Sequence, residues 1–365
     1  MVNLSLTDNY HKNYNRYKTN VKNKVILWEV MMSLRVKRCF KIDKDHRLEL
    51  DKKGVGIDFG DSKLINVLSN YIKLGDEFDY DNDKTSLNVK NINSPEELEN
   101  LLDEITSMHI NCNEKINWNT LSQIKEPFED ENNGPKKQKA EEEFENYEPN
   151  FLEKTFKFLG KTKKKKLYEK IGLAQEEDRK TFEEYMKIKK FSNNILEGDI
   201  DSYFQLIDDL RPFNKLINYG SKIEFGTNHK DSIEIEFNAN SKMVVPTIMY
   251  VEDNNGKLVK QKSDVASYYD NVQDYVCSAT IMIAKKVMNL LPVDKVVVHA
   301  VDNVKEYKTG TYKDITILSV VFDRATLEKL NLKSMEPTFV LDNFICNMRN
   351  QKASGFKSVD RITQY

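Results

Sequence analysis

One block constrains this chain more than any other: Tyr275 to Asp323, reading YVCSATIMIAKKVMNLLPVDKVVVHAVDNVKEYKTGTYKDITILSVVFD. Upstream and into it, apolar residues recur at Tyr268, Val272, Tyr275, Ala279, Met282, Val287 and Leu290. Steps of three and four, with one of five, put them on one helix face. Ser263 or Asp264 is a fitting N-cap and Pro292 a stop, which predicts a helix roughly 40 Å long. Two strands follow, Val296–Val301 and Ile315–Phe322. Neither alternates polar with apolar, so both sheet faces are expected to be covered. Thr309-Gly310 suits the tip of the hairpin between them. His299 lies inside the first strand, with no second His or Cys at metal-ligand spacing, and reads as a core histidine bonded to a neighbour. Asp302, just past the strand, fits ordinary turn chemistry or a functional carboxylate.

The rest of the chain groups around this block. Residues 1–31 form an Asn-, Lys- and Tyr-rich extension. Residues 32–60 read as a small antiparallel β module in which Arg35, Lys37, Arg38 and Lys41 alternate with Leu34, Val36, Phe40 and Ile42. Residues 61–125 are mainly helical, with Ser94-Pro95-Glu96-Glu97 a helix start. The acidic stretch Asp76–Asp83 lacks the register of a calcium loop. Residues 126–150 read as a flexible charged connector in which Gly134-Pro135 breaks any helix. Residues 151–191 read as a charged helical arm carrying the run Lys163–Lys166. Residues 192–365 form a C-terminal domain of order α-βββ-α-ββ-α-α-β, its first three strands at Lys222–Phe225, Ser232–Phe237 and Met243–Tyr250. A helix is expected from Pro337 through Met348, and a last strand between Phe356 and Ile362. The predicted class is α+β: a small N-terminal β module, a charged helical middle, and a C-terminal mixed sheet covered by helices.

Composition narrows the function. Charged residues make up 31% and nearly cancel, for a net charge of -2, which does not support a basic nucleic-acid binder. The four cysteines, Cys39, Cys112, Cys277 and Cys346, form no CxxC. Cys277 and Cys346, in expected helices among apolar residues, read as packed thiols, and a reducing cytoplasm is the expected compartment. No apolar run reaches membrane-spanning length, so no membrane partner is expected. GxSxG, Walker and HExxH motifs are absent.

Arg47 to Gly60, RLELDKKGVGIDFG, resembles the RLxLxKKGVGxxFG segment that opens a bacterial family of uncharacterised function. Further stretches are similar to the C-terminal region of its longer members. They are GDIDSYFQLI from Gly198, EFGT from Glu224, QDYVCS from Gln273, VVVHAVD from Val296, ITILSVVFDRATLEKLN from Ile315 and GFKSVDRI from Gly355. The resemblance implies this domain order and a bacterial cytoplasmic origin, with no reaction, cofactor or site.

Two functions fit. The first is a non-enzymatic interaction or assembly protein that binds a protein partner or itself and needs no cofactor. The second is a metal-dependent nuclease with a restriction-endonuclease-like core, of the kind used in phage defence. It would take Mg²⁺ on Asp231, Glu234 and Glu236, with Lys242 as the nearest lysine. The ExK such a site wants occurs only at Glu306-Tyr307-Lys308, in the hairpin loop. An exposed acidic strand face is the plain alternative for Glu234 and Glu236. Because the family resemblance begins at Met32, a chain started there is expected to keep its melting temperature within a few degrees. A large loss in a thermal melt would show that Trp28 is part of the core.

Overall fold

The structure is a computed structural model and describes residues 38–42, 57–59, 63–73, 92–112, 114–305 and 309–363. In chain order its principal elements are β1 (Arg38–Ile42), α1 (Pro95–Thr106), α2 (Pro135–Glu145), α3 (Phe151–Thr155), α4 (Lys157–Glu197), α5 (Ile200–Leu210), β2 (Ile223–His229), β3 (Ser232–Asn238), β4 (Ile248–Glu252), β5 (Leu258–Lys262), α6 (Val265–Leu290), β6 (Lys295–Lys305), β7 (Tyr312–Asp323) and β8 (Ile345–Met348). The fold is α+β. The chain divides into two compact units, one of Met1–Glu49, Asp79–Glu114 and Arg211–Tyr365, the other of Leu50–Phe78 and Lys115–Leu210. The N-terminal extension, Leu48 and Leu50 of the expected β module, its glycines 54 and 56, and the acidic stretch 76–83 lie outside the described residues.

The first unit is built on a six-stranded mixed sheet of order β1-β2-β3-β6-β7-β8. Every neighbour is antiparallel except β3 and β6, which run parallel. A parallel pair needs a long crossover, and α6 supplies it. Direct cross-strand partners point to the same face. Ile42, Ile223, Phe237, Ala300, Leu318 and Met348 therefore make one apolar row across all six strands. Phe225, Ile235, Val298, Val320 and Cys346 make a second. Helix α6 packs on this face, where Cys277 meets Met348.

Asp264 caps α6 by accepting from Ser267 N–H. The apolar pattern on one face understates its burial: every residue from Tyr275 to Ala284 is buried. Such a helix is covered all round, and α1, β6 and the short helix Pro337–Leu341 contact it. Its polar groups are satisfied locally, as burial demands. Tyr275 donates to Ala239 O at 2.7 Å, Thr280 to Val276 O at 2.7 Å and Asn289 to Cys112 O at 2.7 Å. Ser278 Oγ lies 2.9 Å from His109 Nδ1 and accepts from the His109 backbone N–H. Burial holds the His109 imidazole below the ordinary histidine range, against the opposing hydrogen bond to Met335 O.

Several expectations change. Strand β1 does not stand in a separate module; it pairs with β2 in the main sheet. The expected third strand, Met243–Tyr250, splits. Ser241–Val244 is a single helical turn, and Pro246, which lacks a donor, separates it from β4. Among the described residues, strand β4 pairs only with β5, in its own hairpin. The helix from Pro337 ends at Leu341, and Ile345–Met348 becomes edge strand β8. Only Gly355–Phe356 forms a short strand near the end, paired with Asn350–Gln351.

The second unit is helical. Helix α4 runs 41 residues, about 60 Å, and ends at Gly198, whose φ of 83° suits a left-handed C-cap. Phe191 packs edge-on against both Phe59 and Trp118. The charged connector holds helix α2, because Pro135 opens it at the first position, where its missing N–H costs nothing. The cap comes from α4: Asp178, 1% exposed, accepts from Lys136 and Lys137 N–H at 3.3 and 2.8 Å. A Cβ on Gly134 would fall 2.4 Å from the Asp178 Cγ, so only glycine fits. Asp178→Ala should destabilise this unit by about 1–2 kcal/mol, and Asp178→Asn should recover most of it, as read by denaturant unfolding. Equal stability of the Ala variant and the parent would remove the cap's role.

Candidate functional site

The face of the sheet away from α6 carries a polar row. Lys41, Glu224, Glu236, His299, Ser319 and Asn347 are successive cross-strand partners from β1 to β8. Glu234 lies two residues before Glu236 on the same face of β3. The segment Lys357–Ile362 crosses this face as a strap. Its Val359 N–H donates to Thr316 O at 2.9 Å, its Asp360 carbonyl accepts from Asn347 Nδ2 at 2.8 Å, and its Ile362 N–H donates to Ser319 Oγ at 3.0 Å. Arg361 bonds Thr316 Oγ1 at 3.0 Å and makes a close ion pair with Glu236. A bulge at Ala300/Val301 turns Thr316 toward the strap, opposite Val301.

Under the strap sits a buried relay. His299 Nε2 is 3.0 Å from Glu234 Oε1, and His299 Nδ1 is 2.9 Å from Ser319 Oγ. His299 and Ser319 are fully buried and Glu234 is 7% exposed. The Glu234 carboxylate can only accept, so Nε2 donates to it, and a neutral ring then accepts at Nδ1 from the Ser319 hydroxyl, whose oxygen also accepts from Ile362 N–H. These are the residue types of a nucleophilic triad. The serine, however, has no surface of its own, and its hydroxyl is already bonded to both His299 and the Ile362 N–H. The arrangement ties β3, β6, β7 and the strap together.

The four sequence candidates separate. Glu234 and Glu236 share a face, as expected, but neither belongs to an open acidic surface: His299 holds one and Arg361 the other. Asp231 is exposed in the turn before β3, its carbonyl accepting from Asp294 and Lys295. Lys242 lies beyond the far end of β3, about 20 Å of strand away. It donates to Asn303 O at 2.9 Å and stands over the Tyr312 ring. The Glu306-Tyr307-Lys308 motif lies outside the described residues. Among the described residues, no group of three or more His, Cys, Asp or Glu side chains is placed to hold a metal. Asp302 is structural: its carboxylate receives Ser241 Oγ and the Asn303 N–H.

Sequence reading found His299 and missed Ser319, Thr316 and Arg361. A lone serine in ITILSVVF was the available signal, because a buried strand keeps a hydroxyl only where it has a partner. Arg361 stands 125 residues from Glu236, beyond any local pattern. No family model, curated protein or solved structure matches the chain.

Ser319→Ala leaves His299 Nδ1 and the Ile362 N–H without partners and should cost about 1–3 kcal/mol. Glu234→Leu strands the Nε2 proton and should cost a similar amount, whereas Glu234→Gln, which keeps an acceptor, should cost less. Denaturant unfolding of the three variants checks the order. Equal costs for Gln and Leu would show that the Glu234 acceptor does not hold the histidine.

Proposed function

We propose that the protein is a non-enzymatic interaction module whose contact surface is the tip of α3 and the first turns of α4. The carrying observation is a run of large apolar side chains left in solvent: Phe151 at 82%, Leu152 at 59%, Phe156 at 53% and Phe158 at 67% exposed. The tip is well formed. Asn150 and Glu153 make a reciprocal capping box at 2.9 and 2.8 Å. Contiguous exposed apolar surface on an ordered helix marks a contact site.

The charge around the tip selects its partner. Residues 151–170 hold eight lysines and two glutamates, an excess of six positive charges. Two copies of this tip would repel each other, so the occupant is a different protein, with an apolar groove rimmed by carboxylates. No helix among the described residues is long and apolar enough to cross a membrane. The family resemblance of Arg47–Gly60 and the C-terminal stretches supports a bacterial cytoplasmic setting for this role.

The nuclease reading draws on topology alone. It calls for three strands, a helix and a strand within Asp199–Val301; that span gives the main sheet β2 and β3, then α6 and β6 parallel to β3, while its third strand, β4, pairs with β5 instead. It requires Glu234 and Glu236 to leave His299 and Arg361 for a metal.

Crosslinking in the cells of origin, followed by binding measurements with the purified partner, tests the interaction reading. Phe151→Ser with Phe158→Ser should weaken that complex at least about tenfold while leaving the melting temperature unchanged. Identical binding by parent and variant would refute it, as would tip-dependent binding to anionic vesicles with no protein partner. A melt raised several degrees by millimolar Mg²⁺, lost in Glu234→Gln together with metal-dependent DNA cleavage, would install the nuclease instead.

A further inference from the structure

Two sulfur side chains touch where α6 passes β8, and a third stands near them on the strand. Cys277 Sγ lies 3.7 Å from Met348 Sδ. Cys346 stands two residues before Met348 on the same strand and shares its face. The residue between them, Asn347, points the opposite way, to the Asp360 carbonyl under the strap. Cys346 and Met348 pair with Val320 and Leu318, which face α6. Cys277 is fully buried, whereas Cys346 and Met348 are half-buried, which leaves a way in from solvent at the sheet edge.

This donor set has a chemical preference. Two thiols and a thioether are soft ligands and select Cu(I) over hard cations. Sulfur donors about 2.3 Å from a metal in a three-coordinate site stand about 4 Å apart, and the 3.7 Å between Cys277 and Met348 is close to that spacing. We propose that Cys277, Cys346 and Met348 form a Cu(I) site at the junction of α6 and β8.

Binding breaks two S–H bonds, forms two Cu–thiolate bonds and one Cu–thioether bond, and sends two protons to solvent, with no change in oxidation state. Burial, with Asp342 adding to it, raises the Cys346 thiol to about 12. Burial raises the Cys277 thiol well above its ordinary range, with Cys346, Asp274 and Asp342 contributing. A cation seated between the sulfurs offsets the negative charge that binding creates there. The site is separate from the α3–α4 tip and does not depend on the interaction reading.

The full-length reduced chain, held anaerobically, is titrated with Cu(I) supplied as its acetonitrile complex, in competition with a coloured Cu(I) chelator. One equivalent should be retained, with ultraviolet thiolate-to-copper absorption. Loss of even an outer-shell partner costs about 10–100-fold in metal affinity. Cys346→Ser should therefore lose more than about 100-fold, and Met348→Leu, which conserves volume and keeps the core filled, at least about tenfold. Cys112→Ser should bind as the parent does. No uptake by the parent, or equal uptake by parent and Met348→Leu, overturns the site. Met348→Leu also decides the matter if the serine variant fails to fold.

Discussion

The parallel pairing of β3 with β6 is the constraint on which the larger unit depends. A parallel neighbour cannot be reached by a tight turn, so the chain must leave the sheet and return. Helix α6 makes that passage and carries an unbroken buried run from Tyr275 to Ala284. The same pairing places Glu236 beside His299 and brings Glu234 within reach of the imidazole. A slip of one residue would turn Ile233, Ile235 and Phe237 away from α6 and present the two carboxylates to it. The apolar rows and the polar row are thus two aspects of one register.

Much of this was legible because its cause is local. The caps at Asp264 and Ser94, the stop at Pro292, and both long strands of the opening block follow from residues within a few positions of each other. His299 was readable as a bonded core histidine for the same reason: an imidazole inside VVVHAV must find partners. What escaped depends on distant residues. Ser319 sits in an apolar strand and gains meaning only from His299, twenty residues away, and Ile362, forty-three away. Glu234 and Glu236 alternate with isoleucines and so looked like a solvated edge, because nothing nearby announces the strap that covers them. The helix in the charged connector escaped likewise, since its cap, Asp178, lies more than forty residues downstream.

The two units rely on different kinds of order. In the sheet unit, stability and register come from rows of side chains spanning every strand. In the helical unit a single long helix carries the organisation. One end docks through Tyr185, Ile188 and Phe191, while the other holds apolar side chains out in solvent. Leaving Phe151 and Phe158 exposed has a solubility cost, and the lysines that crowd them offset it while setting what they can meet.

Strand β1 adds a consequence in time. Its partner β2 lies about 180 residues downstream. At translation rates of about 5–20 residues per second, the edge it completes cannot form for roughly 10–40 seconds after β1 is made. During that interval RCFKI is an unpaired strand on a nascent chain, able to pair with whatever edge it meets first. Of its described side chains, Ile42 ends buried and Lys41 ends beside Glu224. The arrangement therefore asks the ribosome-bound chain to keep an early strand in reserve, and its yield of correctly closed sheet becomes sensitive to how quickly the middle of the protein is synthesised.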